Sequence, residues 1–345
     1  MEVGITFDLK EEYRRLGYCG EEIAEFDTEE TINGIENALN ELGFTTERIG
    51  TVKSLVNRLS QGITWDIVFN IAEGMYGFGR ESQVPALLDA YRIPYTFSDP
   101  LVLSLTLHKG MAKHVVRDFS LETPDFKVIR KMDDIEKLHI PFPVFAKPVA
   151  EGTGKGVSGK SIIRDVDQLT EVISDLLHRF KQPVLVEEFL PGREFTVGLL
   201  GTGRNAKVAG VVEVVNNQNV DELVYGYEVK SDFRTKVKYE VPEKEMIKRC
   251  SRLALAAWRG LECRDGGRID VRFNLKGRPS FIEVNPLAGL TPNVSDLPIL
   301  CELNGISYKK MIYEIMASAL KRVRSKKVKN ELRKWQQENL NGEEI

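Results

Sequence analysis

Cysteine and histidine are both scarce in this sequence, four of each, and neither is clustered. Cys19, Cys250, Cys263 and Cys301 stand far apart, without a CxxC pair or a His spacing suited to zinc, which argues against a structural metal knot. Four free thiols in a reducing compartment are expected. Long apolar runs are missing as well: none approaches the roughly 18 residues that a membrane span needs. The amino terminus MEVGITFDLKEEYRR, with Glu2 and Asp8, is too acidic for a signal peptide. Neither sign of charge dominates, since 48 Lys+Arg stand against 51 Asp+Glu for a net charge of −3. That balance speaks against a polyanion as the main partner. The expectation is a cytoplasmic protein that engages neither a membrane nor nucleic acid.

What is present is the composition of an ordinary globular protein, 42% hydrophobic and 29% charged, in a chain of 345 residues that is long enough for two or three compact units. Val3 to Leu9 reads as a strand. Asp27 and Glu30 read as a capping box opening a helix that Gly43 closes. Ile67 to Ile71 is a buried apolar run, followed by a glycine-rich loop and a helix near Ser82 to Tyr91, so residues 1–98 form an open α/β unit. A second unit, 99–187, carries the strand Val144 to Lys147 and a glycine-dense loop. A third, 188–325, holds strands, a helix from Pro242 and a β-hairpin. Residues 326–345 read as a helical extension within a basic stretch: Lys321 to Lys334 has eight basic residues against Glu331 alone, which is expected to be a solvated face.

The hairpin RIDVRFNLKGRPSFIEVNP is the most informative segment. A tight turn at Lys276-Gly277 places Asp270 opposite Glu283 and Arg268 opposite Asn285. Ile269, Val271, Phe273, Ile282 and Val284 then fall on the other, buried face. Two opposed carboxylates repel and need neutralising. Asp270, Glu283 and Asn285 suit a hard cation such as Mg²⁺; alternatively Arg268 and Arg272 balance the carboxylates alone. The second feature is AEGTGKGVSGK, Ala150 to Lys160, whose glycines let backbone N–H groups approach phosphate oxygens. Within it, residues 154–161 match the GxxxxGK-Ser form of a phosphate-binding P-loop. That motif requires a helix starting at Lys160-Ser161, whereas Asp165 is the better N-cap. The glycines therefore read as a hairpin tip, able to close over a triphosphate with Thr153, Lys155 and Ser158 while Lys147 points into the same space.

Taken in order, Lys109, FPVFAKPVAEGTGKGVS, VLVEEFLPGREFTV, Lys230, GGRIDVRF and FIEVNPLAGLTP resemble the ATP-grasp superfamily, and within it the D-alanine:D-alanine ligases, to about Arg324. The resemblance implies an α+β ATP-grasp fold, with two subdomains clamping ATP behind the N-terminal unit. It implies Lys109, Lys147 and Lys230 on the phosphates, with Glu151 and Gly152 of the glycine loop also at the nucleotide. Glu187, Glu188, Phe189 and Leu190 would surround adenine, Glu194 would meet the ribose, and Asp270, Glu283 and Asn285 would hold Mg²⁺. An amino-acid carboxylate attacks the γ-phosphate in that family, and a second amine captures the acyl phosphate. Arg268 and the N–H of Gly289 would stabilise the oxyanion, with the hydroxyl of Thr153 in place of the loop's usual Ser.

Other positions depart from the family pattern. The GGxSxE signature is absent, with Asp27 the nearest candidate. Glu73 stands for a His, Ser231 for a Tyr, and Val294 for a Ser, with Ser295 and Asp296 following. The expected activity is an ATP- and Mg²⁺-dependent carboxylate–amine ligase on small amino-acid or peptide substrates. The substrates are either D-alanine with itself or other amino acids, including a larger or more basic one anchored by Glu73 and Asp27. A nucleotide-binding regulatory module without turnover is the alternative from another class, and a homodimer is left open.

Overall fold

The computed structural model describes residues 1–216 and 237–323, so the expectations placed on Lys230, Ser231 and the extension 326–345 lie outside the described residues. Among the described residues, strands form three sheets. The first is parallel, with order β2-β1-β3 from β1 (Glu2–Thr6), β2 (Thr45–Gly50) and β3 (Ile67–Asn70). Two of the local expectations shift. The first strand ends at Thr6, and the helix Glu29–Glu41 begins after Thr28 rather than Asp27. Asp27 cannot cap because its backbone is occupied: its N–H donates to Asp8 O at 2.9 Å and its carbonyl accepts from Lys10 N at 2.9 Å. Its carboxyl is buried beside the Thr31 hydroxyl instead. Gly43 does follow the helix, at φ +85°, the left-handed conformation that only glycine adopts cheaply.

The second sheet has order β4-β7-β5-β6, from β4 (Phe126–Ile129), β5 (Val144–Pro148), β6 (Ile162–Ile163) and β7 (Val184–Glu188). The glycine loop joins β5 to its antiparallel partner β6. The next helix, Val166–Phe180, starts only after Asp165, whose carboxylate accepts from Gln168 N at 2.8 Å. This is the hairpin arrangement, not the helix-opening loop of a P-loop. The boundary drawn at residue 187 falls inside β7.

The third sheet is antiparallel, order β10-β9-β8-β11-β12, from β8 (Glu194–Leu200), β9 (Lys207–Asn216), β10 (Val237–Glu240), β11 (Gly266–Phe273) and β12 (Pro279–Asn285). The helix Lys244–Gly260 lays Cys250, Leu253, Ala254, Ala257 and Trp258 into a core shared with Phe195, Ile269 and Phe281. The helix Tyr308–Leu320 joins the other side of this sheet to the N-terminal core.

Near the site the hairpin register is as expected, Arg268↔Asn285 and Asp270↔Glu283, but a bulge follows Asp270 and Val271 pairs with Phe281. The turn is also longer than two residues: Gly277 N donates to Asn274 O and Asn274 N to Arg278 O, both at 2.9 Å. The extra residue reverses the alternation on one strand. Phe281, not Ile282, enters the core, fully buried, and Ile282 turns into the cleft described below. Phe281→Ala should therefore destabilise the fold by about 3–5 kcal/mol in denaturant unfolding, the usual cost of emptying a buried aromatic site. Ile282→Ala should cost under about 1.5 kcal/mol, as expected of a partly exposed position. The reverse ranking would mean that strict alternation holds through the hairpin.

Candidate active site

A cleft of about 840 Å³, its open mouth included, lies between the second and third sheets. Its floor is charged and buried. Lys147, on β5, puts its Nζ 3.0 Å from Glu187 Oε1 on β7 and 3.6 Å from Glu283 Oε2 on β12. Lys109 opens the helix Lys109–Asp118, lies 3.7 Å from the same Glu283 oxygen and donates to Glu151 O at 2.5 Å. Burial works against the charged form of every group here. For Glu187 burial is outweighed by Lys113 and Lys147, and its carboxyl is held below the usual range. For Lys147 burial is outweighed by Glu187 and Glu283, so its ammonium is held charged beyond its ordinary range.

Lys113 was not singled out by sequence, yet it is completely buried, with Nζ 2.8 Å from Glu187 Oε2. Burial brings its pKa down to about 8 in spite of Glu187. The signal was available, because Lys109 and Lys113 are four apart on one helix and share a face.

The rest of the cleft is assembled from the other expected residues. Glu188, Phe189 and Leu190 follow β7 along one wall. Glu194, at the start of β8, pairs with Arg272 at 3.4 Å, and Arg272 lies over the Phe189 ring at 5.5 Å. Asp270 accepts from Thr196 Oγ1 at 3.0 Å and is paired with Arg268, which also reaches Asp296 at 3.3 Å. Arg272 thus serves Glu194, while the carboxylates on the hairpin face are met by Arg268, Lys109 and Lys147. Asn285 Nδ2 is buried with no hydrogen-bond acceptor among the described residues.

A second cavity opens on the far side of Lys109, which lines both. Thr153, Gly152, Arg268, Asn285, Gly289, Val294 and Ser295 line it, and so do Asp27 and Glu73. The N-terminal wall lies beyond the carboxyl ends of β1 and β3, where parallel sheets leave a crevice for ligands. Two more acidic residues at this wall, Glu25 and Glu81, carried no motif and were missed. Glu25 pairs with Arg80 at 3.0 Å and Lys155 at 3.4 Å and accepts from the N–H of Gly152, which ties the glycine loop to the N-terminal unit. Ser295 Oγ accepts from Thr291 N at 3.0 Å, so it staples its own turn, while Val294 is 40% exposed.

Residues 115–317 match the family described as the D-ala D-ala ligase C-terminus. A D-alanine–D-alanine ligase of Aquifex aeolicus is 31% identical over 288 residues, 82% of this chain and 92% of that protein. The chain belongs to the D-alanine–D-alanine ligase family. Another ligase of that name, from Thermotoga petrophila, is 29% identical over 83% of this chain and 90% of its own length. The fold agrees: a D-alanine–D-alanine ligase from Bacillus anthracis complexed with ATP superposes with a TM-score of 0.71 at 23% identity, covering 96% of this chain and 99% of that one. The VanG D-Ala:D-Ser ligase of Enterococcus faecalis does so at 0.69 and 20%, covering 92% and 99%. As a member of this ligase family the chain is an ATP-dependent enzyme with the ATP-grasp fold. No helix among its described residues is long and apolar enough to cross a membrane.

Lys147 and Lys160 separate the two readings of the glycine loop. Lys160 is exposed, and its ammonium lies 3.3 Å from Glu171 on the surface. Lys147→Ala should weaken ATP affinity by roughly tenfold or more, the scale of one charged contact of about 1.5–3 kcal/mol. Lys160→Ala should leave it unchanged. Calorimetric titration with a non-hydrolysable ATP analogue would reverse that order if a P-loop held the phosphates.

Proposed function

We propose that the chain joins the carboxyl group of one amino acid to the amine of a second at the expense of ATP. The supporting observation is the convergence of Lys109, Lys147, Asp270, Glu283 and Arg268 at the junction of the two cavities. Within this reading residues 1–98, 99–187 and 188–325 act as three units, the last two taking the nucleotide between them. Glu188, Phe189 and Leu190 form the wall for the base, and Glu194 meets the ribose. The lysines neutralise the triphosphate, and the hydroxyl of Thr153, at the wall of the second cavity, faces the transferred phosphoryl group.

The donor set on the hairpin also fits Mg²⁺. Asp270 and Glu283 offer two hard carboxylates on adjacent strands, and Asn285, opposite Arg268 on the same hairpin, offers a side-chain amide oxygen. Mg²⁺ held there would neutralise charge on the phosphates during transfer. The substrate carboxylate is positioned by Arg268 and the N–H of Gly289. It forms the new O–P bond as the bond to the ADP leaving oxygen breaks. The amine of the second amino acid then forms the amide bond, inorganic phosphate departs, and the amine's proton is lost to solvent.

The family relatives are D-alanine–D-alanine and D-Ala:D-Ser ligases, and D-alanine with itself is the first pair to test. A different amino-acid pair is favoured by the position of Ser295, which is used inside its own turn, and by Glu73 at the cavity wall. Release of phosphate from ATP and Mg²⁺ with pairs of D- and L-amino acids tests the reaction. Glu283→Gln should lower turnover by roughly 10²-fold or more, the scale of losing a preorganised electrostatic contact in a transition state; because the change also takes a counter-charge from Lys109 and Lys147, turnover is compared at a temperature where circular dichroism shows the variant folded. Wild-type turnover in that variant removes Glu283 from the metal site.

A further inference from the structure

The second cavity has an excess of acid that the protein leaves uncompensated. Glu25 is answered by Arg80 and Lys155, Asp27 by Lys10 and the Thr31 hydroxyl, and Asp296 by Arg268. Glu73 and Glu81 remain, with no ion pair and no hydrogen bond among the described residues. Lys109 and Arg80 act on Glu81 from beyond ion-pair distance. Burial, then neighbouring carboxylates, pushes the Glu73 carboxyl well above its ordinary range. Burial also brings Glu81 up to about 7 although Arg80 opposes it. Two carboxyl groups at one cavity wall whose pKa values are raised in this way either keep their protons or take a cation where one is supplied.

An independent sign of a missing ligand lies on the opposite wall. The buried Nδ2 of Asn285 is a donor without an acceptor among the described residues, and Arg268 and Gly289 line the same wall of the cavity. The two walls therefore ask for opposite groups: a carboxylate at Asn285, Arg268 and Gly289, and positive charge at Glu73 and Glu81.

We infer that the amino acid held against the N-terminal wall carries a second, side-chain ammonium group, and that Glu73 and Glu81 select it. This rests on the ligase reading and names the substrate class of its amino-acid cavity: a diamino acid such as lysine or ornithine. An α-ammonium alone is served by Asp27. A neutral side chain of the same length would leave Glu73 and Glu81 unanswered in a low-dielectric cavity. That asymmetry is how a polar pocket rejects an isostere lacking its partner.

The test uses the full chain with ATP and Mg²⁺, pairing D-alanine with each enantiomer of lysine, ornithine, norleucine and norvaline. Phosphate release is followed for each pair. Binding of each amino acid is measured in parallel by calorimetry in the presence of a non-hydrolysable ATP analogue. One enantiomer of lysine or ornithine should exceed its neutral counterpart by roughly tenfold or more in kcat/KM and in affinity, the scale of one charge-assisted contact. The isosteric Glu73→Gln, Glu81→Gln double variant should bring that ratio close to one. Equal binding of lysine and norleucine to the wild type overturns the inference, as does a preference that survives in the double variant. If no pair releases phosphate but lysine is bound selectively through Glu73 and Glu81, the ligase reading fails and the cavity assignment stands.

Discussion

An alternating run of charge, Lys113, Glu187, Lys147, Glu283 and Lys109, joins the two sides of the first cleft. Its members come from four elements: the helix Lys109–Asp118, β5, β7 and β12. Each carboxylate is shared by two lysines. A buried charge whose partner is removed costs about 3–5 kcal/mol, so no one element can shift without stranding a charge on another. Apolar packing orders each sheet separately, through one core under the third sheet and another under the second. The charged run specifies how those two cores face each other. It also leaves cationic groups at the cleft floor, and a triphosphate needs cationic groups there.

The glycine loop depends on the same economy of charge. Its glycines were read from sequence as giving backbone access to phosphates, and the structure adds a packing reason. A Cβ on Gly152 would meet Glu25 Oε1 at 2.7 Å, and one on Gly156, at φ +70°, would meet Phe180 and Pro148 at 2.7 Å. Lys155 folds inward to Glu151 at 2.8 Å and to Glu25. The loop is therefore not merely a pliable tip. It is a strap whose charged residue and backbone N–H both attach to one buried glutamate of the N-terminal unit.

The parts legible in the sequence were those set by local geometry. Strand alternation placed Asp270 against Glu283 and Arg268 against Asn285, and the N-cap at Asp165 disposed of the P-loop match. Alternation failed where it has no means of seeing an extra residue. The bulge after Asp270 exchanged Ile282 for Phe281 because a five-residue turn and an aromatic core site outweighed a two-residue turn. Asp27 looked like an N-cap because spacing cannot reveal that its backbone is already bound to residues 8 and 10. Glu25 escaped for a related reason: its partner Arg80 is 55 residues away, and no local pattern encodes such a meeting.

The division of labour between the cavities follows from which elements build them. The first cleft is built largely on strands of two antiparallel-paired sheets, and its buried carboxylates Glu187 and Glu283 each meet lysines there. The second cavity is walled on its N-terminal side by segments beyond the ends of β1 and β3, and Glu73 and Glu81 line it there without an ion pair among the described residues. A wall of that kind can change its charges without disturbing the register of either sheet. Lys109 and Arg268 stand at the junction: each is tied to a hairpin carboxylate, Lys109 to Glu283 and Arg268 to Asp270, while lining the second cavity. Altering Arg268 takes the counter-charge from Asp270, and altering Lys109 leaves Glu283 with Lys147 alone. On the proposed function, substrate choice falls to the N-terminal wall and the turn around Val294, where the sequence reading put its departures at Asp27, Glu73 and Val294.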